Sequence, residues 1–184
     1  MKKTSKDILI NQRLRNLITI AKKSDYYGKI LSSIKIETAE DLPRIPILTR
    51  DLMEQNMPPQ GYGLSTRQGI GEGGYVSRSG GSTGIPKYSI YDKSDWENMI
   101  SEAVRLFQAM GLEKGDRIAN LMIAGDLYGS FVSFDHINNR LGAMTFAFAD
   151  KVTVETFIDV WRQFKFNVIE AIPSQLVPLL RQVK

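Results

Sequence analysis

The sequence predicts an α/β fold, in which a helical lead-in over residues 1–60 precedes a mainly parallel sheet with flanking helices over residues 61–184. Two observations predict it. In the second half of the chain, short apolar segments alternate with longer segments whose apolar residues recur at helical spacing. In the first part, helical patterns are interrupted by prolines and no such alternation occurs. Strand–helix alternation implies right-handed crossovers between parallel strands.

The composition is that of a globular protein and narrows the possible chemistry. The chain has 184 residues, of which 42% are hydrophobic and 24% charged, with no cysteine and a single histidine, His136. Without cysteine, the chain has no thiol nucleophile and no cysteine metal site. With one histidine, it cannot contain both a Ser-His-Asp site and a histidine metal site. The apolar stretches are shorter than the roughly 20 residues of a bilayer span. No signal-peptide core follows Met1, so we expect a cytoplasmic protein that does not bind a membrane.

The net positive charge comes from the amino-terminal segment. The net charge is +4 overall, with +6 in residues 1–30 and −2 in the remainder. A nucleic-acid-binding protein needs a basic face, which only this segment could supply. We interpret it as a solvated helix face and expect no nucleic-acid partner.

The lead-in is predicted to contain three helices. Apolar spacing predicts a helix over 5–23 and a second, short helix over 26–31. The segment 42–47 is predicted to be extended, because each of its two prolines disfavours the α conformation in the preceding residue. Thr49 is a suitable N-cap for a short helix through Leu52.

Glycine is concentrated in the segment from Gly61 to Gly84, which contains nine of the fifteen glycines. This density predicts loop structure, with short strands at 75–77 and 87–91. After it, Ser94 is predicted to cap a helix that runs to Met110. The elements that follow are predicted as strand 117–123, helix 126–140, strand 143–148, helix 153–166, strand 167–172 and a helix from 174. That last helix has an apolar face without a partner, so we expect the chain to be an incomplete part of a larger enzyme.

Three phosphate-binding patterns compete in the glycine-rich region. Residues 69–74 match G-x-G-x-x-G, but lack the preceding strand and following helix that a dinucleotide site requires. The P-loop pattern G-x-x-x-x-G-K-[ST] has no match. The third candidate, residues 79–87, combines three glycines, three hydroxyl side chains and Lys87, which suits a polyphosphate. The same composition also suits a polar hairpin loop, and chemistry alone does not separate the two.

The segment 79–87, SGGSTGIPK, resembles the signature loop of the adenylate-forming superfamily, which includes acyl-CoA synthetases, peptide-synthetase adenylation domains and luciferases. Its flanks are similar to those of phenylacetate-CoA ligases. The flanking resemblances are LPRIPILTRDL at 42–52, GDRIAN at 115–120, LGA at 141–143 and IPS at 172–174.

The resemblance implies that the chain is part of the large N-terminal domain of such an enzyme. The implied reaction joins a carboxylic acid to ATP, with Mg²⁺ present, to give acyl-AMP and pyrophosphate; a thiol, usually coenzyme A, then takes the acyl group. The residues implied to hold the ATP phosphates are Ser79, Gly80, Gly81, Ser82, Thr83, Gly84 and Lys87. The family's adenine, ribose and metal motifs and its C-terminal lysine are not in this sequence. We therefore expect no complete catalytic or metal site in this chain, and the remainder of a parent chain as its partner.

The resemblance also indicates an acyl pocket after the predicted strand 117–123. Its candidate residues are Gly125, Tyr128, Gly129 and Phe134, and its substrate would be a small carboxylic acid, by family an aryl acid. Aromatic residues on a helix are more often core residues, so both interpretations stay open. His136 is interpreted as a surface or hydrogen-bonded residue, and Asp126 and Asp135 as solvated carboxylates.

Two alternatives accompany this interpretation. The enzyme could adenylate its acid and deliver it to a protein thiol, or not complete thioester formation. The chain could instead be a short non-catalytic nucleotide-binding or interaction module that keeps the loop alone.

Overall fold

The computed structural model describes residues 4–67, 71–80 and 86–182. These form two compact units. The first consists of Met1–Gly71 with Gly80–Ser89, and the second of Glu72–Ser79 with Ile90–Lys184.

The first unit is helical. Its helices are α1 (Ser5–Ala21), α2 (Asp25–Leu31), a 3-10 helix (Ala39–Arg44) and α3 (Arg50–Asn56). Its core consists of Ile18, Leu31 and Ile36. The predicted N-cap Thr49 is confirmed, since its side chain accepts a hydrogen bond from Leu52 N.

The predicted extended segment 42–47 is wrong in its first half. Residues 42–44 belong to the 3-10 helix, and the chain returns to an extended conformation at Ile45. The helix starts because the Asp41 carboxylate accepts hydrogen bonds from the backbone N–H of Glu37 and Thr38. These contacts with the preceding chain outweigh the local preference that the prolines impose.

The second unit is the α/β part of the chain. Its elements are β1 (Tyr75–Arg78), the second half of β2 (Tyr88–Tyr91), α4 (Lys93–Ala109), β3 (Arg117–Asn120), α5 (Ser130–Leu141), β4 (Met144–Ala147), α6 (Val154–Phe164), β5 (Val168–Glu170) and α7 (Pro173–Gln182). The strands β1 and β2 form a two-stranded sheet, and the division between the units falls within β2. The other three form a parallel sheet in the order β4-β3-β5, which confirms the predicted parallel α/β architecture.

The central strand β3 is buried on both faces. Ile118 and Ala119 are fully buried. Ala119 belongs to a core with Phe157 of α6 and Leu179 of α7, whereas the next residue, Asn120, contacts α5. Because successive strand side chains point to opposite faces, α5 lies on one face and α6 with α7 on the other.

Helix α4 begins earlier than predicted. Its N-cap is Asp92, not Ser94, because the Asp92 carboxylate accepts from Asp95 N at 2.8 Å and from Ser94 Oγ at 2.8 Å. The apolar face of α4 packs as predicted, with Trp96 and Ile100 in a core that includes Ile137 of α5. No helix among the described residues is long and apolar enough to cross a membrane.

Candidate functional site

The carboxyl ends of the three parallel strands lie at one edge of the sheet. They are Asn120 of β3, Ala147 of β4 and Glu170 of β5. The chain leaves β3 for β4 on one side and then crosses to β5 on the other, so the strand order reverses between β3 and β5. In open α/β sheets, ligands bind outside the carboxyl ends at such a reversal.

Asn120 organises the backbone at this edge. It is fully buried, accepts from Met122 N at 3.0 Å and donates to Phe131 O at 3.1 Å. Its own carbonyl accepts from Ala149 N at 3.0 Å. The Asn120 side chain therefore stabilises the turn at the end of β3 and connects the start of the loop 121–129 to α5.

The loop 121–129 contains a run of left-handed backbone. Gly125, Asp126 and Leu127 have φ values of 84°, 49° and 60°. This conformation is unfavourable for Asp126 and Leu127, so contacts outside the loop must hold them. The predicted helix start at Asp126 is wrong for this reason, and α5 begins only at Ser130.

Arg78, the last residue of β1, supplies those contacts. Its backbone N–H donates to Leu127 O at 3.0 Å and its Nε donates to Asp126 O at 3.1 Å. Its guanidinium also forms an ion pair with the Asp126 carboxylate. At the end of the loop, a Cβ added at Gly129 would lie 3.3 Å from Ser77 Cβ, so β1 and the loop are closely packed.

This packing places three of the predicted acyl residues beside β1, which ends one residue before Ser79. Gly125, Tyr128 and Gly129 lie in a loop bound to Arg78, and Arg78 directly precedes Ser79. Phe134 lies elsewhere, with its ring 5.4 Å from that of Phe107 of α4. The role of Arg78 is not predictable from sequence, because nothing in its local pattern indicates a contact 48 residues away.

Replacing Arg78 with alanine is expected to loosen the loop 121–129. The backbone hydrogen bond to Leu127 remains, while the two side-chain contacts with Asp126 are lost. Because Asp126 is 68% exposed, we expect a modest effect, with amide exchange of residues 125–129 faster by roughly tenfold. Hydrogen-exchange mass spectrometry measures it. Arg105→Ala is the matched control, since it breaks an exposed ion pair with Glu102 on α4; equal exchange in both variants would contradict the role of Arg78.

Of the predicted phosphate-binding residues, Gly81, Ser82, Thr83 and Gly84 lie outside the described residues. Ser79 and Gly80 follow β1, and Lys87 directly precedes β2. Lys87 belongs to the first unit, where its charge contributes to a lowered pKa of Glu54 on α3, after the larger effects of the hydrogen bond and charge of Arg50. The chemistry of the described members, a hydroxyl, a glycine amide and a lysine, fits a nucleotide phosphate.

His136 is held by hydrogen bonds at both ring nitrogens. Trp96 Nε1 donates to Nδ1 at 3.1 Å, and Nε2 lies 3.1 Å from Tyr75 Oη. An indole N–H can only donate, so Nδ1 is the acceptor and the proton of the neutral ring is on Nε2. The histidine is thus a hydrogen-bonded residue of an aromatic cluster, as the sequence interpretation allowed.

Two of the clefts formed by the described residues lie on the second unit. The larger, of about 370 Å³, is lined by Leu121 and by residues of α6, α7 and the segment before α6, including Thr153 and Gln175. The smaller, of about 290 Å³, lies beside His136 and Arg140. Neither is lined by the predicted acyl-pocket residues, which are Gly125, Tyr128, Gly129 and Phe134. Among the described ranges, no group of three acidic or histidine side chains could hold a metal ion.

The structure is similar to solved structures of an acyl-CoA ligase. A 2-hydroxyisobutyryl-CoA ligase in complex with 2-HIB-AMP and CoA, in the thioesterification state, matches with a TM-score of 0.79 and 21% identity over 98% of this chain. The same ligase matches with a TM-score of 0.80 and 20% identity both in an open conformation with 2-HIB-AMP and CoA, over 95% of this chain, and in the postadenylation state with 2-HIB-AMP, over 98%. No protein-family model and no curated protein matches the chain.

These matches show that the chain has the fold of part of such a ligase. The chain spans about two fifths of the ligase's length, with 40%, 39% and 39% of the three structures covered. The mixed α/β fold with a small parallel sheet is therefore confirmed.

Proposed function

We propose that this chain is the phosphate-binding and acyl-binding part of an ATP-dependent ligase that converts a carboxylic acid to an acyl-AMP and then to a thioester of coenzyme A. The observation that carries the proposal is the Arg78 contact. It joins the loop implied to bind the acid to the strand that leads into the loop implied to bind the phosphates.

In this proposal, residues 79–87 bind the β- and γ-phosphates of ATP and then the leaving pyrophosphate. Backbone N–H groups at glycines and the hydroxyl of Ser79 donate hydrogen bonds, and Lys87 contributes a positive charge. None of these groups forms a covalent bond to the substrate. They stabilise the negative charge of the phosphates and orient the α-phosphate for attack. Mg²⁺, when bound, neutralises phosphate charge, and its ligands lie mostly outside this chain.

The acid is proposed to lie beside Gly125, Tyr128 and Gly129. Gly125 leaves open space next to the backbone, and the half-buried ring of Tyr128 offers an apolar face with a hydroxyl. The sequence resemblance favours an aryl acid, whereas the structural neighbours bind the adenylate 2-HIB-AMP. Both acid classes therefore belong in the assay.

The test is acid-dependent release of pyrophosphate by the complete protein that carries this chain. We expect ATP consumption to require a carboxylic acid, with phenylacetate and 2-hydroxyisobutyrate as the first two acids assayed. Omitting coenzyme A separates the alternatives. Acyl-AMP that accumulates without coenzyme A and is consumed on its addition supports the proposal. Adenylate that coenzyme A leaves unchanged indicates a protein thiol acceptor, and ATP bound but not consumed with any acid indicates a non-catalytic module.

A further inference from the structure

Glu170 and Asn138 form a buried polar pair between β5 and α5. Glu170 is 7% exposed and Asn138 is 0% exposed. Nδ2 of Asn138 donates to Glu170 Oε2 at 2.9 Å. The other carboxyl oxygen, Glu170 Oε1, and the amide oxygen, Asn138 Oδ1, are buried and have no hydrogen-bond partner among the described residues. Burying an acceptor without a donor is unfavourable. When Glu170 is ionised, one donor hydrogen is missing between these two oxygens.

One proton on Glu170 would satisfy both unpartnered oxygens. A carboxylic acid has an O–H donor and a carbonyl acceptor, and a primary amide has an N–H donor and a carbonyl acceptor. The acid O–H can therefore donate to Asn138 Oδ1 while the existing bond from Asn138 Nδ2 remains. The result is a ring of two hydrogen bonds that uses both carboxyl oxygens of Glu170 and the amide oxygen and nitrogen of Asn138.

The surroundings favour the uncharged acid. The pKa of Glu170 is raised to about 7, first by burial and further by the charge of Asp135 on α5, against the opposing effect of the Asn138 hydrogen bond. Within the described part of the chain, no cation is among the groups that act on this carboxyl. On the neighbouring strand β3, the residue in register with Glu170 is Asn120, which does not titrate. The charge that faces Glu170 from α5 is therefore negative, and it disfavours the carboxylate.

We propose that Glu170 and Asn138 form a proton-binding site, in which a neutral Glu170 donates to Asn138 Oδ1 and bridges β5 to α5. The hydrogen bond from Glu170 to Asn138 Oδ1 is present at mildly acidic pH and is lost when the proton leaves at alkaline pH, whereas the bond from Asn138 Nδ2 to Glu170 does not depend on that proton. Together with the Asn120 bond to Phe131 O, it fixes α5 to the sheet at two positions along the helix. The site is independent of the proposed ligase activity, and it belongs to the helix that follows the loop 121–129.

The direction of the pH effect on stability follows from the raised pKa. The folded chain keeps the Glu170 proton up to about pH 7, whereas the unfolded chain releases it near the ordinary value of 4.5. Stability from this group is therefore greatest at acidic pH and falls as the pH rises through that interval. Between about pH 5 and pH 8, the unfolding constant is expected to rise on the order of 50- to 100-fold from this residue.

The site is tested by NMR on the chain labelled with ¹³C at glutamate side chains, with Glu170→Gln to assign the signal. We expect that signal to titrate with a midpoint near pH 7, and the side-chain NH₂ signals of Asn138 to move with the same midpoint. A midpoint near the ordinary value of 4.5, or Asn138 signals that do not follow Glu170, would overturn the proposal.

The same variant tests the bridge through stability. The amide that Glu170→Gln introduces can donate and accept as the neutral acid does, but it cannot ionise. The variant should therefore match the wild type at about pH 5 and exceed its stability at about pH 8. The matched control is Glu72→Gln, at an exposed loop carboxyl. Parallel pH dependence of the wild type and Glu170→Gln over this range would contradict a proton at this site, as would an equal change in Glu72→Gln.

Discussion

Replacing Lys87 with alanine is expected to weaken binding of ATP and pyrophosphate by about 10- to 100-fold. The change removes a compact positive charge from the end of the proposed phosphate loop. A charge-assisted hydrogen bond to phosphate contributes about 1.5–3 kcal/mol, which corresponds to this range. Isothermal titration of each ligand measures it, and the complete enzyme should show a matching loss in acid-dependent pyrophosphate release.

The control for Lys87 is Lys114→Ala. Lys114 is exposed and lies before β3, at the opposite edge of the sheet from the carboxyl ends. Its replacement removes the same charge from the protein, so long-range effects of net charge are equal in the two variants. If both variants lose affinity equally, Lys87 acts only through net charge, and its place in the phosphate site is refuted.

Replacing Asn120 with alanine is expected to destabilise the second unit by about 2–4 kcal/mol. The side chain is fully buried and satisfies both Met122 N–H and Phe131 C=O. Without it, two backbone groups lose their partners at the point where β3 enters the loop 121–129. Urea unfolding followed by circular dichroism measures the change in the free energy of unfolding.

Asn139→Ala is the matched control for Asn120. Asn139 is exposed on α5, so its replacement should change stability by no more than about 0.5 kcal/mol. Similar losses in the two variants would mean that the buried hydrogen bonds of Asn120 do not stabilise this edge of the sheet.

The local sequence pattern predicted the regular elements well. The helix α4 and the parallel strands β3, β4 and β5 follow from apolar spacing, because their stability comes from burying one face or both. Thr49 could be identified as a cap because its hydroxyl accepts a hydrogen bond from a backbone N–H only three residues further along the chain.

The loop 121–129 could not be predicted in the same way. Its left-handed backbone at Asp126 and Leu127 depends on Arg78, which is distant in sequence. The Glu170–Asn138 pair joins residues 32 positions apart, and neither residue stands out from its neighbours in the sequence. Both features are set by tertiary contacts, whereas the resemblance at 79–87 rests on adjacent residues.

The central claim is that residues 79–87 bind nucleotide phosphate, and ATP titration of this chain by backbone NMR tests it most directly. We predict saturable shifts in the amide signals of residues 79–85 and 87, reproduced by pyrophosphate, absent with adenosine and weakened in Lys87→Ala. Shifts confined to residues 69–74, or none in 79–87 at millimolar ATP and pyrophosphate, would contradict the account.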